Sequence, residues 1–505
     1  MEYLQTSFFV ALLTRFRDYL TEIFRGSVTY RFCMWCWAAM KNGVFYRFAL
    51  GGQRADALWR GNCVCRGLSA LLDLPLRLSR FLLGRNTVFS GSFLLEQSVD
   101  FSRRRLTPGI GFVILALLVI PQKQWNNLYS LLFAGVLLLM FILAASDGLL
   151  HLSLREIGFF PVLFALCVFL GYVTSRQPAL SFRFLIFGVT CMLFVLLTAN
   201  APKSARELEQ IILLCSIGVA LCSLYALYQR LTGVEANGIL TDLELNANMP
   251  GRVYSFFENP NSFANILVLF APMMLTMALY VPGSWKKLWY LAVFGLACMA
   301  LLMTYSRGGW LSLAVGLGVL LLALGPRWVP LCMVLCICAV PFLPANILNR
   351  LLTIFNTADS SIYTRAYIYS AMGKLIALHP LFGVGLGAAA VRHGVYADGV
   401  YEAKAIFIHG HNIYLQIWGE MGIFALIAFI GSMVFAVRGG LQMRRTEDGV
   451  LRAVAVGTAC GLCASLFFGI TDYAWSYPRV MVLFWFVFAL IPAALRLKNE
   501  KEAGK

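Results

Sequence analysis

Arg307 stands between the apolar run ending Leu302-Met303-Thr304-Tyr305-Ser306 and the segment Gly308-Gly309-Trp310, at the tip of an expected helical hairpin. An arginine at the centre of a membrane helix costs about 2.5–3.5 kcal/mol on the insertion scale, and less where its stem can reach the headgroups. It is therefore either a snorkelling anchor or a guanidinium held at headgroup depth to grip a phosphate through its planar fork. Arg252, in Gly251-Arg252-Val253-Tyr254, and Arg365, in Thr364-Arg365-Ala366-Tyr367, fall on the same side of the threaded chain. Singly each reads as a loop arginine; converging, the three would form a pocket for a diphosphate carried on a lipid.

The second group is imidazole. His411-Asn412-Ile413-Tyr414-Leu415-Gln416 opens an apolar run, so His411 is expected at a helix amino terminus. The helix dipole there favours neutral imidazole, which can accept a proton; the alternative is a capping or buried hydrogen-bonding residue. His379, His393, His409 and His411, four of the five histidines, share the segment 345–412. A zinc site among them lacks an acidic ligand at a recognisable spacing, and no metal and no cofactor is expected. Gly383-Val384-Gly385-Leu386-Gly387 has no βαβ unit around it and reads as a turn, not a dinucleotide loop.

These residues need a scaffold, and the composition says which. Of 505 residues, 60% are hydrophobic and 13% charged, which excludes an ordinary soluble globular protein. Apolar stretches of about 20 residues, the length needed to cross hydrocarbon at about 1.5 Å per residue, fall near 107–121, 128–145, 158–173, 180–198, 207–228, 261–281, 286–304, 309–324, 328–344, 413–437, 450–470 and 477–495. The expected fold is thus an all-α, polytopic integral membrane protein of about twelve transmembrane helices, with a large loop between the ninth and tenth. Pro272, Pro341 and Pro344 predict kinks or early helix ends.

Threading the spans from an inside amino terminus puts most of the 41 Lys+Arg on one side, as cytoplasmic loops require. Much of the net +17 is then a topology signal with attraction to anionic membrane lipids, and no nucleic acid partner is implied. The organisation read from this is a basic amphipathic cytoplasmic or interfacial region over 1–106, helices one to nine over 107–344, a large periplasmic loop over 345–412, helices ten to twelve over 413–495, and a cytoplasmic tail over 496–505. Residues 1–106 do not have the form of a cleavable signal, and their arginines interrupt apolar runs as in helices that lie in the interface. Cys33-x-x-Cys36 and Cys63-x-Cys65 sit in such runs without histidine support and are read as thiols, with zinc the lesser alternative.

Four segments resemble the O-antigen ligase and O-antigen polymerase superfamily. They are Phe257-Glu258-Asn259-Pro260-Asn261-Ser262-Phe263-Ala264; Tyr305-Ser306-Arg307-Gly308-Gly309-Trp310; Thr364-Arg365 with His379-Pro380-Leu381-Phe382-Gly383-Val384-Gly385-Leu386-Gly387; and His409-Gly410-His411-Asn412-Ile413-Tyr414-Leu415-Gln416 with Glu420-Met421-Gly422. In detail the resemblance spans roughly 250–430. His411, Asn412 and Gly422 keep the spacing of the family ligases, which carry Gly, Thr or Tyr where this chain has Ala425.

The resemblance implies a glycosyltransferase of the bacterial inner membrane, with its site facing the periplasm. It would move a glycan from an undecaprenyl-diphosphate-linked donor to an acceptor hydroxyl, without a metal and with inversion. Arg307 and Arg365 would bind the diphosphate, with Arg252 beside them, and His411 would activate the acceptor. The leading expectation is ligation to a lipid A-core acceptor; a polymerase, a protein O-oligosaccharyltransferase and, in a different class, a polysaccharide or lipid transporter are the alternatives. Asn259, Asn261 and Asn412, at helix entries on the same side, would cap their helices or bind sugar hydroxyls. His409 is counted with the substrate-binding residues. Asp472 would orient His411 or bind acceptor.

Overall fold

The structure is a computed structural model and describes residues 8–28, 30, 31, 34, 35, 38, 57–85, 93–148, 150–234, 251–342, 344–352, 360–389 and 409–504. Those residues are helical or irregular, with no strand among them. In chain order the helices are α1 (Phe8–Gly26), α2 (Cys63–Leu72), α3 (Leu74–Arg85), α4 (Phe93–Val119), α5 (Leu128–Ala144), α6 (Phe159–Val173), α7 (Pro178–Asn200), α8 (Ala205–Thr232) and α9 (Pro260–Tyr280). They continue with α10 (Ser284–Met303), α11 (Arg307–Leu324), α12 (Val329–Ala339), α13 (Ala345–Leu352), α14 (Ser360–Leu378), α15 (Ile413–Gln442), α16 (Gly449–Phe468) and α17 (Pro478–Ala503).

Eight of these, α7 to α11 and α15 to α17, are long and apolar enough to cross a membrane, so the chain is a polytopic α-helical membrane protein. Each of the other four expected spans coincides with a helix that falls short in one respect. The 27 residues of α4 carry Arg103, Arg104 and Arg105 through their middle, leaving an apolar half that starts at Leu106. The remaining three, α5, α6 and α12, have 17, 15 and 11 residues. At about 1.5 Å per residue, α12 spans about half of the hydrocarbon thickness. It gives way at Val340–Phe342 to a tighter turn, where Pro341 denies the ladder a donor.

Two buried helices, α9 and α16, pack along one another at the centre, and α17 is buried with them, while α10 and α11 expose more of their surface. Close approach of α9 and α16 depends on Gly457 and Gly461, four residues apart. A Cβ at Gly461 would sit 2.1 Å from the Leu269 carbonyl oxygen, and one at Gly457 would sit 2.1 Å from Thr276 Oγ1. In lipid, where apolar surface gains little from leaving the solvent, such small-residue contact and interhelical hydrogen bonds carry association. The hydrogen bonds are Thr276 Oγ1 to the Ala453 carbonyl (2.8 Å) and Ser465 Oγ to Asn265 Oδ1 (2.9 Å).

The described part of 1–106 holds α1, the pair α2 and α3, and the first half of α4. α1 exposes Leu12, Phe16, Tyr19 and Ile23 at helical spacing, as an interfacial helix does, and lays Arg17 over the Trp328 ring at 4.8 Å. By contrast α2 and α3 dock onto the segment before α6. Trp59, Cys65 and Leu76 are buried there, and Asp73 accepts from the Leu152 backbone amide (3.2 Å) and pairs with Arg80 and His151 (both 3.4 Å). Cys63 is exposed whereas Cys65 is buried, so they do not present a shared pair of ligands; Cys33 and Cys36 lie outside the described residues.

Gly422 divides α15 into two arms. Its φ of +83° and ψ of 179° interrupt the helix, and the Pro380–Gly385 turn fills the gap. Ile423 N donates to the Pro380 carbonyl (3.0 Å), while Val384 N and Gly385 N donate to the carbonyls of Gly419 (3.0 Å) and Glu420 (2.9 Å). Because a Cβ on Gly422 would lie 1.9 Å from the Leu381 oxygen, Gly422→Ala must displace this turn. The expected cost is about 2 kcal/mol or more, from the left-handed backbone alone. Thermal unfolding of the purified variant checks this, and an unchanged midpoint would contradict it.

Candidate functional site

Gln229, at the end of α8, takes the amides of Tyr254 (3.2 Å) and Ser255 (2.8 Å) on its Oε1 and so fixes the entry to α9. Arg479, fully buried, donates to the Phe256 carbonyl (2.8 Å) and to that of Ile120, with the Phe257 ring 4.3 Å away. In this frame Arg252 is aimed by two acceptors. Its Nε donates to the Thr304 carbonyl (2.8 Å) and a terminal nitrogen donates to Asn261 Oδ1 (2.7 Å). The same Asn261 oxygen accepts from Ser306 Oγ (3.1 Å), and Ser306 caps α11 by accepting from Gly309 N (3.3 Å). Arg252, Asn261 and the first turn of α11, which begins at Arg307, are thus one connected unit. A Cβ on Gly308 would lie 3.1 Å from Thr471 Oγ1, so that turn rests against the Thr471–Asp472 segment.

On the other side of the cluster, Asn412 caps α15 by accepting from Tyr414 N (2.9 Å) and Leu415 N (3.0 Å), and its Nδ2 donates to the Ile470 carbonyl (2.9 Å). His411 precedes this cap in a left-handed conformation, φ +46°. Its Nδ1 lies 3.3 Å from Asp472 Oδ1, and its amide donates to His409 Nδ1 (3.3 Å). With Nδ1–H given to Asp472, Nε2 is the nitrogen left to accept a proton. Tyr369 of α14 ties both segments by donating to the carbonyls of His411 (3.0 Å) and Ile470 (2.9 Å). Beneath them Gln416 accepts from Gly410 N (2.7 Å) and donates to the buried Glu420 carboxylate (2.7 Å).

Ser255, Glu258, Tyr305 and His411 are the non-glycine residues of positive φ among those described, and each stands in a segment that builds this region. Such conformations cost energy in an L residue and persist where the surroundings over-determine them, as at sites whose geometry has a use.

Like charges dominate the electrostatics. Burial first, then Arg350, Arg365 and Arg307, lower the pKa of the Arg252 guanidinium, with Asp472 acting the other way; it stays protonated at neutral pH. Burial, followed by His411 and Arg365, pushes His409 down to about 4 against the pull of Asp472, so this ring is neutral at pH 7. Burial alone would raise Asp472, but the His411 hydrogen bond and the charges of His411, His409 and Arg365 outweigh it and hold the carboxylate below its usual range. Arg365 Nε is buried with no hydrogen-bond partner among the described residues, a donor in want of an acceptor.

The structure therefore gathers Arg252, Arg307, Arg365, Asn261, His409, His411 and Asp472. Asn259 and Asn412 adopt the capping alternative, Asn259 by accepting from Asn261 N (2.8 Å) and Ser262 N (3.3 Å). His379 sits in the turn after α14, and His393 lies outside the described residues. Arg350 was not singled out by sequence. It is buried (7% exposed) on the short helix α13 and is the first of the neighbouring charges acting on Arg252. Nothing in Asn349-Arg350-Leu351 distinguishes it from other loop arginines. Gln416, Glu420 and Tyr369, which hold the histidine turn, are likewise ordinary helical residues until the fold joins them.

Ligand atoms of His409, His411 and Asp472 lie within 4.8 Å of one another, so these three could hold a divalent cation, with His409 already neutral. The lowered His409 pKa also carries a linkage. Folded protein binds fewer protons at this ring than unfolded protein between about pH 6.5 and 4, so stability is fully present above that window and falls as pH drops through it. The unfolding midpoint should decline from pH 6.5 to 4, and His409→Gln should flatten the decline; identical pH profiles would refute the assignment.

Comparison with curated proteins finds no match. Residues 292–430, from within α10 through both helices of the large loop into the second arm of α15, match the model of a family described as O-antigen ligase. That stretch holds Arg307, Arg350, Arg365, His409, His411 and Asn412, while Arg252, Asn261 and Asp472 reach the cluster from outside it. Over that stretch the chain is similar to the O-antigen ligase family, which supports the superfamily resemblance carried by its motifs.

Proposed function

We propose that the protein transfers a glycan from an undecaprenyl-diphosphate carrier to an acceptor hydroxyl, in the bacterial inner membrane with the cluster facing the periplasm, and that the acceptor is lipid A-core. The observation that carries this reading is the meeting of Arg252, Arg307, Arg350 and Arg365 with the His411–Asp472 pair at one end of the bundle. Cleavage of the anomeric C–O bond leaves negative charge on the diphosphate. Guanidiniums already in place, among them Arg365 with its unsatisfied Nε, stabilise that charge more in the transition state than in the bound donor. The acceptor hydroxyl gives its proton to His411 Nε2, Asp472 fixes the ring, and the acceptor oxygen attacks the anomeric carbon opposite the departing diphosphate, inverting it. The His409–His411–Asp472 triad performs this as a proton acceptor, with no metal required.

Purified protein, lipid-linked glycan and lipid A-core acceptor supply the assay. Arg307→Ala and Arg365→Ala should each lower kcat by about 10²–10³-fold, as removal of a charge-stabilising donor does. His411→Ala should lower it by about 10²–10⁴-fold. Asp472→Asn should reduce kcat and shift the pH–rate profile, because the carboxylate that sets the His411 tautomer is gone. Arg350→Ala should raise the donor KM. Treatment with EDTA should leave the rate unchanged. Full activity in the Arg307, Arg365 and His411 variants would exclude the mechanism, and transfer to a glycan or protein acceptor in place of lipid A-core would exclude the acceptor.

A further inference from the structure

At the end of the bundle away from the histidine turn, the last turns of α15 and α17 and the entry to α6 enclose a cavity of about 390 Å³. Its lining mixes apolar and aromatic side chains with polar and mostly basic ones. Phe160 and Phe435 stack at 5.1 Å with their planes 17° apart, and Phe160 covers Gly431, where a Cβ would fall 2.3 Å from the ring. Its charged lining residues are Arg60, Arg438 and Lys498 with Glu156.

Arg60 comes from the amino-terminal region and is positioned by its neighbour. Trp59 is buried and donates from its indole nitrogen to the Leu154 carbonyl (3.2 Å), and Arg60 then lies 3.1 Å from Glu156. Glu156 is 10% exposed and is also 3.8 Å from Arg155, and Lys498 pairs outward with the exposed Glu502 at 3.6 Å. The lining itself therefore sets three cations against one carboxylate. A lining that combines the Phe160–Phe435 pair with an excess of cations, where membrane helices end, matches an amphiphile with a phosphate head. The volume suits a headgroup and the first methylenes of a chain.

We propose that this cavity binds one anionic phospholipid of the leaflet on that side. Its phosphate would sit among Arg60, Arg438 and Lys498 and its proximal acyl chain on Phe160 and Phe435. The inference is independent of the glycan-transfer reading, and it gives the docked part of the amino-terminal region a role as one wall of a lipid site.

The test uses the full chain in detergent with pyrene-labelled phosphatidylglycerol and phosphatidylcholine. Saturable phosphatidylglycerol binding, at least tenfold tighter than phosphatidylcholine, is expected. It should weaken at least tenfold in Arg438→Gln/Lys498→Gln and persist in Arg438→Lys/Lys498→Arg, with unfolding midpoints confirming that each variant folds. Should the glutamine pair fail to fold, raising salt from 0.15 to 1 M on the natural protein replaces it, and phosphatidylglycerol binding must weaken there. Equal binding of the two lipids, unchanged binding in the glutamine pair, or insensitivity to salt overturns the proposal. Complete displacement by millimolar inorganic phosphate would also overturn it, assigning the site to the free anion.

Discussion

Guanidiniums repel one another, and a protein that brings Arg252, Arg307, Arg350 and Arg365 within reach of each other's fields must hold them there by other means. Much of the local architecture answers that repulsion. Arg252 is pinned by a backbone carbonyl and by an asparagine oxygen that also serves a helix-capping serine. Asp472, held charged by its neighbours, contributes a counter-field and orients His411 with the same carboxylate. The left-handed residues at Ser255, Glu258, Tyr305 and His411 are the backbone bends that let three separate chain segments present their polar ends to one place.

Charge and rigidity are therefore linked. Preorganised positive charge is useful to a reaction that develops negative charge only if it does not relax away before the reaction happens. The supports reach well beyond the charged groups: Gln229 and the fully buried Arg479 hold the entry to α9, and Gln416 with Glu420 holds the histidine turn from below. In a bilayer such polar groups need partners within the protein, and these networks supply them for all but the Arg479 Nε.

The sequence made the membrane character legible because hydrocarbon thickness sets a length that composition cannot disguise, and the twelve apolar stretches each fall on a helix. Arg307, Arg365 and His411 were legible because an expensive residue at a helix end asks for a use, and because the motifs around them are dense. Arg350 was not, since its importance lies in what Arg252 and α13 bring near it, and one arginine in a short amphipathic stretch carries no such mark. The docking of α2 and α3 was hidden for a related reason: Trp59, Cys65 and Leu76 look like the apolar face of a surface helix until the segment before α6 is seen to cover them. Whether Asn259 and Asn412 cap or bind could not be chosen from spacing alone, since both uses need asparagine at a helix entry.

The break at Gly422 has a mechanical consequence. A continuous rod through the bilayer would transmit its tilt to whatever sits on its end, so a change in bilayer thickness would re-aim His411. Interrupting the ladder at Gly422 and seating the Pro380–Gly385 turn in the gap ties the short arm that follows His411 to that turn through Gly419 and Glu420, and the long arm to the same turn through Ile423. A helix broken at one residue has a defined place to bend, so bilayer mismatch is met at Gly422 as well as by tilt of the whole rod.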